Sequence, residues 1–171
     1  MEPTELLDRL HQLGQTEFFF GPQGFILVES VDELIQTQVG YSIDVDGTPL
    51  TGDENGDWQN EWVVFARDSE LGDPYFLDIS HDALPVFTAF LGESGWESEP
   101  VAHSLEAFLS CMKQLKEQSR QTQAVFVPDS NTLTDTTKLR QLRDKLGRVS
   151  RCQNFWKQVF ENYQLWLNDK D

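Results

Sequence analysis

Hydrophobic positions change their spacing several times along this chain, and each change marks an element. Leu6, Leu7, Leu10 and Leu13 recur at helical spacing ahead of Gly14, which predicts a short opening helix. Phe18-Phe-Phe20 and Phe25-Ile-Leu-Val28 are apolar runs parted by Gly21-Pro22-Gln23-Gly24, the pattern of a hairpin or a pair of strand segments. Ser30-Val-Asp-Glu33 has capping-box spacing and opens a helix to about Gln38. Residues 41–61 are crowded with turn formers, Gly47, Pro49, Gly52 and Gly56 among them.

Strand-type runs then resume with Glu61-Trp-Val-Val-Phe-Ala66, Tyr75-Phe-Leu-Asp-Ile79 and Pro85-Val-Phe-Thr-Ala-Phe-Leu91. Their short spacing makes an antiparallel meander the simplest topology. Ser104 caps a helix whose stripe is Leu105, Phe108, Leu109, Met112 and Leu115. Residues 119–134 read as a linker with one apolar piece, Ala124-Val-Phe-Val127. Asp135 opens a helix that Gly147 is expected to stop, and Ser150 is expected to start another through Phe155, Val159, Phe160, Tyr163, Trp166 and Leu167.

The expected fold class is α+β: a mixed or antiparallel sheet flanked by helices in residues 1–118, then a helical extension over 135–171. The extension's apolar face needs burial, on the domain or on a partner. A length of 171 residues with 39% hydrophobic and 12% aromatic residues is enough for a real core.

Charge adds an asymmetry that the net value of -16 conceals. Residues 1–112 hold two basic residues, Arg9 and Arg67, against 22 acids, a net of -20, whereas residues 113–171 hold 11 basic residues against 7 acids. Either there are two functional surfaces, or the cationic tail clamps onto the acidic body. Nucleic acid and anionic membranes are polyanions that the body repels, so a basic protein is the natural partner. The start of the chain has two acids in five residues and no apolar run, which points to a cytoplasmic location. Cys111 and Cys152, each in a helix-like pattern, are expected to be reduced thiols.

Candidate chemistry is thin. His11, His81 and His103 lie in unrelated contexts, and neither a G-x-S-x-G elbow nor a Cys-His signature is present, so no catalytic residue is assigned. His103, just ahead of a helix start, is expected to cap or to face solvent. Asp53-Glu-Asn55-Gly-Asp57 resembles the start of a calcium loop, but Trp58 stands where the sixth position needs glycine and Val64 where the twelfth needs glutamate. No Cys or His pair has zinc spacing, and the loop glycines are flanked by acids that repel phosphate. No metal and no cofactor are expected.

The remaining signal is the density of acids. Asp44, Asp46, Asp53, Glu54, Asp57, Glu61, Asp68 and Glu70 are either solvated turns or a docking face for a basic partner, with Trp58 as an aromatic anchor. Trp62, inside an apolar run, reads as core.

The order of motifs resembles the SUKH superfamily, which includes the yeast cell-wall-synthesis regulator and many bacterial immunity proteins. The resemblance rests on Trp62-Val-Val-Phe-Ala-Arg-Asp68, Gly72-Asp-Pro-Tyr-Phe-Leu-Asp78, Pro85-Val-Phe87 and Val101-Ala-His-Ser-Leu-Glu-Ala-Phe-Leu109, within about residues 20 to 115. Gly72 would permit a turn that a side chain blocks, and Asp73 and Asp78 would bind turn amides.

The resemblance implies a helix-flanked sheet and, for bacterial members, a protein that neutralises a toxin by direct binding, often a nuclease or deaminase. Such toxins hold nucleic acid and tend to be basic, which suits an acidic face. The alternative is a regulatory or scaffolding adaptor of the same fold, with the C-terminal helices making a homodimer or recruiting a partner.

Overall fold

The structure is a computed structural model, and it describes residues 1–119 and 127–169. In chain order the elements are α1 (Pro3–His11), β1 (Glu17–Phe20), β2 (Gln23–Leu27), α2 (Val31–Gln36), β3 (Trp62–Asp68), β4 (Pro74–Asp78), β5 (Val86–Gly92), β6 (Gly95–Ala102), α3 (Leu105–Ser119), α4 (Thr136–Ser150) and α5 (Gln153–Asn168). The six strands form one sheet in sequence order, and every pairing is antiparallel. The protein is an α+β fold, a meander flanked by helices.

The pleat sends alternate side chains to opposite faces, and each face of the sheet has its own core. Tyr75 and Leu77 of β4 belong to the larger core with Phe18, Phe25 and Phe65, against Leu6 and Leu10 of α1 and Phe108 and Met112 of α3. Phe76, between them, belongs to a smaller core with Trp58, Val64 and Ala89.

Helices α4 and α5 are part of the larger core. Leu139, Leu146, Phe155, Trp156, Val159, Phe160 and Tyr163 bury their side chains in it. Polar contacts fix the docking: the Trp156 indole donates to Val101 O at 3.3 Å, Tyr163 Oη donates to Leu133 O at 2.8 Å, and the Tyr163 ring stacks on Phe20 with centroids 4.1 Å apart. The apolar piece assigned to the linker lies at 124–126 outside the described residues, and Val127 is exposed.

Three sequence expectations need correction. Helix α4 runs through Gly147 to Ser150 and is stopped by Arg151, whose φ of 59° is left-handed. Gly147 serves close packing instead, because a Cβ there would lie 3.3 Å from Gln153 Cγ of the next helix. Ser150 is the last residue of α4 and not the cap of α5; that cap is Cys152, which makes no side-chain capping bond. Strand β6 was not anticipated. It is an edge strand in which Glu97, Ser98 and Pro100 are exposed, so it carries no apolar alternation, and Pro100 falls at a shift of register with β5.

Other local expectations hold. Ser30 Oγ accepts from Glu33 N at 3.1 Å, while Glu33 reaches back to Glu29 N at 2.8 Å. Ser104 Oγ accepts from Ala107 N at 3.0 Å, and Asp135 Oδ1 accepts from Thr137 N and Lys138 N at 2.9 and 3.0 Å. His103 donates its backbone amide to Ser150 O, and its Nδ1 lies 3.0 Å from the same oxygen, which ties β6 to the end of α4.

Candidate functional site

Residues 37–61, between α2 and β3, leave the meander and cross the face of the sheet that the large helices do not cover. Gln38 begins the crossing by imitating a strand partner. Its side-chain amide donates to Val64 O at 2.7 Å and accepts from Val64 N at 3.0 Å, satisfying a stretch of β3 that β2 is too short to reach. Within the excursion, Asp44 N donates to Thr48 O, Leu50 N to Ser42 O and Gly52 N to Trp58 O, so the loop has an internal backbone ladder.

Trp58 pins the excursion to the sheet. It is 1% exposed, lies 4.8 Å from Phe76 by ring centroid, and donates its indole N–H to Trp62 O at 3.2 Å. This corrects its assignment as an anchor presented to a partner: an indole offered to a partner must be accessible, and this one is consumed in the smaller core. Trp62, expected in the core, is only partly buried. Around Trp58 stand Tyr41, Trp62 and Trp96, at centroid distances of 4.9, 5.2 and 5.2 Å.

The excursion presents its acids outward. Asp44, Asp46, Asp53, Glu54 and Glu61 are exposed and Asp57 is half-buried. Hydrogen bonds from Thr48 hold the Asp46 carboxyl below its ordinary pKa, so it stays ionised across the neutral range. Asp57 Oδ2 accepts from Glu54 N at 3.1 Å and closes a tight turn. Between the acids stand two bare aliphatic side chains, Val45 at 86% exposed and Leu50 at 45%.

Asp68 and Glu70 do not share this face. Asp68 ends β3 and Glu70 lies in the turn after it, bordering a concavity with Phe20, Pro22, Asn162 and Tyr163 on the helical side of the sheet. Asp68 is 6% exposed and its Oδ1 accepts from Glu70 N at 2.6 Å. Burial pushes its carboxyl pKa up against the pull of the Glu70 and Leu71 amides. Asp68 is thus a turn-forming residue, which removes it from the docking set.

It also performs the task expected of Asp73, since the turn amides bond to Asp68. Burial raises the Tyr41 hydroxyl pKa, and the Asp73 charge adds to the rise. Asp78 matches its expected role, accepting from Ser80 N at 2.9 Å. Gly72 holds a φ of 78°, a conformation that side chains disfavour.

The basic tail does not lie over the acids of the excursion. Arg143, Arg148 and Lys157 border a concavity between α4 and α5, and Arg148 and Arg151 border another with Glu99 and Phe155, all on the helical side. Among the described residues, the ion pairs of these two helices are Arg143–Asp144 and Lys157–Glu161, each internal to its own helix. The two charged regions therefore occupy opposite sides of the sheet.

Cys111 and Cys152 are free thiols, and burial pushes Cys111 up to about 12, which suppresses its thiolate. His81 sits on an exposed turn, 3.8 Å from Asp78.

What the fold and this face define is an α+β protein with an acidic, aromatic-backed excursion on one side of a meander and a basic pair of helices on the other. Comparison of the chain with family models, with curated proteins and with solved structures finds no match. Sequence reasoning missed Tyr41 and Trp96 as members of the aromatic group. Trp96 had one available signal, the Gly92-Glu-Ser-Gly95 turn directly before it.

Proposed function

We propose that this chain is a non-enzymatic binding protein of the immunity type, acting in the cytoplasm, whose acidic excursion covers the cationic surface of a basic toxin such as a nuclease or deaminase. The observation that carries the reading is the composition of one loop: five exposed carboxylates and the exposed Val45 and Leu50 all stand on the excursion pinned by Trp58. Protein interfaces combine an apolar centre with a charged rim, and the rim sets the approach of a partner of opposite sign. The SUKH-like order of motifs supports the same reading and supplies the class of partner.

Co-expression with the product of an adjacent toxin-like gene tests it. Protection by the wild type, lost in the Asp44→Asn, Asp46→Asn, Asp53→Asn, Glu54→Gln variant, is the expected result. Absence of both protection and complex with any such neighbour refutes the proposal.

A second reading, an adaptor joining two partners, is favoured by the separate basic surface of Arg143, Arg148, Arg151 and Lys157. Its distinguishing result is a partner whose binding survives neutralisation of the acidic excursion and is lost in Arg148→Gln with Arg151→Gln.

A further inference from the structure

On the acidic face, the excursion meets the β5–β6 hairpin and the two enclose a concavity of about 510 Å³, lined by Asn55, Asp57, Gln59, Trp62, Trp96 and Ser98. Two of its walls are indoles that are neither buried nor fully exposed. Behind them Trp58 stands edge-on to both, with interplanar angles of 87° to Trp62 and 77° to Trp96. A fully buried ring thus holds two accessible rings in place.

The junction is locked as well. Trp96 N donates to Gly56 O at 2.8 Å. Gly56 and Gly95 have φ values of 93° and 109°, and a Cβ on either would collide with the other strand of the junction, at Ser94 O and Gly56 O respectively. The backbones touch because both residues are glycine.

From this geometry we propose that the concavity receives an arginine side chain of a basic protein partner, its guanidinium against the Trp62 and Trp96 rings. The inference rests on the binding reading above and names its recognition chemistry. The negative face of an indole attracts a cation, tryptophan most strongly of the aromatic side chains, and the planar guanidinium stacks where an ammonium cannot. The acids of the excursion supply the field that draws the cation in, and Asn55, Gln59 and Ser98 supply neutral acceptors around the opening. Walls already fixed in the free protein reduce the ordering cost of binding.

The test uses the full chain, labelled with ¹⁵N, and octa-arginine as probe, with octa-lysine in parallel. On titration with octa-arginine, the indole N–H signals of Trp62 and Trp96, assigned through Trp62→Phe and Trp96→Phe, are expected to shift and saturate. The Trp156 signal, bonded to Val101 O in the opposite core, stays in place. Trp96→Ala is expected to weaken octa-arginine binding about tenfold, and octa-lysine to bind more weakly than octa-arginine.

Unmoved Trp62 and Trp96 signals in the wild type overturn the proposal without depending on the folding of any variant. Equal or tighter binding of octa-lysine overturns the assignment of a guanidinium. If the variant neutralised at Asp44, Asp46, Asp53 and Glu54 loses octa-arginine while Trp96→Ala keeps it, this site falls and the acidic-face reading stands. The immunity reading itself is decided separately by co-expression.

Discussion

Trp58 and Asp68 show how a side chain's surroundings reverse its reading. Trp58 lies among acids in the chain and among Phe76, Trp62 and Trp96 in space. Truncating a buried aromatic leaves a cavity as well as losing transfer energy, so Trp58→Ala is expected to cost about 3–5 kcal/mol in urea unfolding. Asp68 is a buried carboxyl whose folded pKa is raised by desolvation. A raised carboxyl pKa means that the folded state binds the proton more tightly than the unfolded state. Its ionised form therefore penalises folding at neutral pH, and the penalty is relieved as pH falls through the folded pKa towards the unfolded one. Asp68→Asn, which keeps an oxygen acceptor for the Glu70 amide, is expected to melt at a higher temperature than wild type at pH 7. The difference should vanish near pH 4, where the unfolded carboxyl also takes up its proton. A lower melting temperature for the variant at pH 7 contradicts this account.

At the scale of elements, strong periodicity was readable and its interruptions were not. The leucine spacing of α1, the Ser30 and Asp135 caps and the apolar runs of β3, β4 and β5 each express one local rule, and each element formed where that rule put it. Strand β6 obeys no such rule, because an edge strand exposed over much of its length needs no apolar alternation. Gly147 misled for a related reason: glycine ends helices when its φ turns positive, but here it makes room for α5. The junction of Gly56 and Gly95 uses both properties of glycine, close approach and positive φ, and it is testable. Gly95→Ala places a methyl group against Gly56 O at a φ that side chains avoid, and is expected to cost about 1–3 kcal/mol in chemical unfolding. Hydrogen exchange should rise locally at Trp96 N, whose acceptor is Gly56 O.

For the whole molecule, the charge break near Lys113 is not a break in the core. Phe20 stacks on Tyr163, and Phe25 and Tyr75 lie 5.8 Å from Trp156 and 6.3 Å from Phe155 by ring centroid, so α4 and α5 complete the hydrophobic interior begun by the sheet. A chain ending at Gln118 is expected to lose cooperative thermal unfolding and to bind a hydrophobic dye such as ANS, because those aromatic side chains lose their cover. A sharp melting transition in that truncation would show that residues 1–118 fold alone.

Local pattern was sufficient for the α+β class, the meander through β5, most helix limits and the asymmetry of charge, because each depends on neighbours in the chain. Only the tertiary structure decided which acids share a surface. The sheet separates the 44–61 acids from Asp68 and Glu70, and carries the basic helices on the side away from the excursion. It also decided which tryptophans are accessible, since burying Trp58 needs Phe76 and Trp96 from strands far along the chain, and their arrival leaves Trp62 and Trp96 half in solvent. Long-range packing chooses among side chains that composition treats alike, because burial is a property of position in space and not of neighbours in sequence.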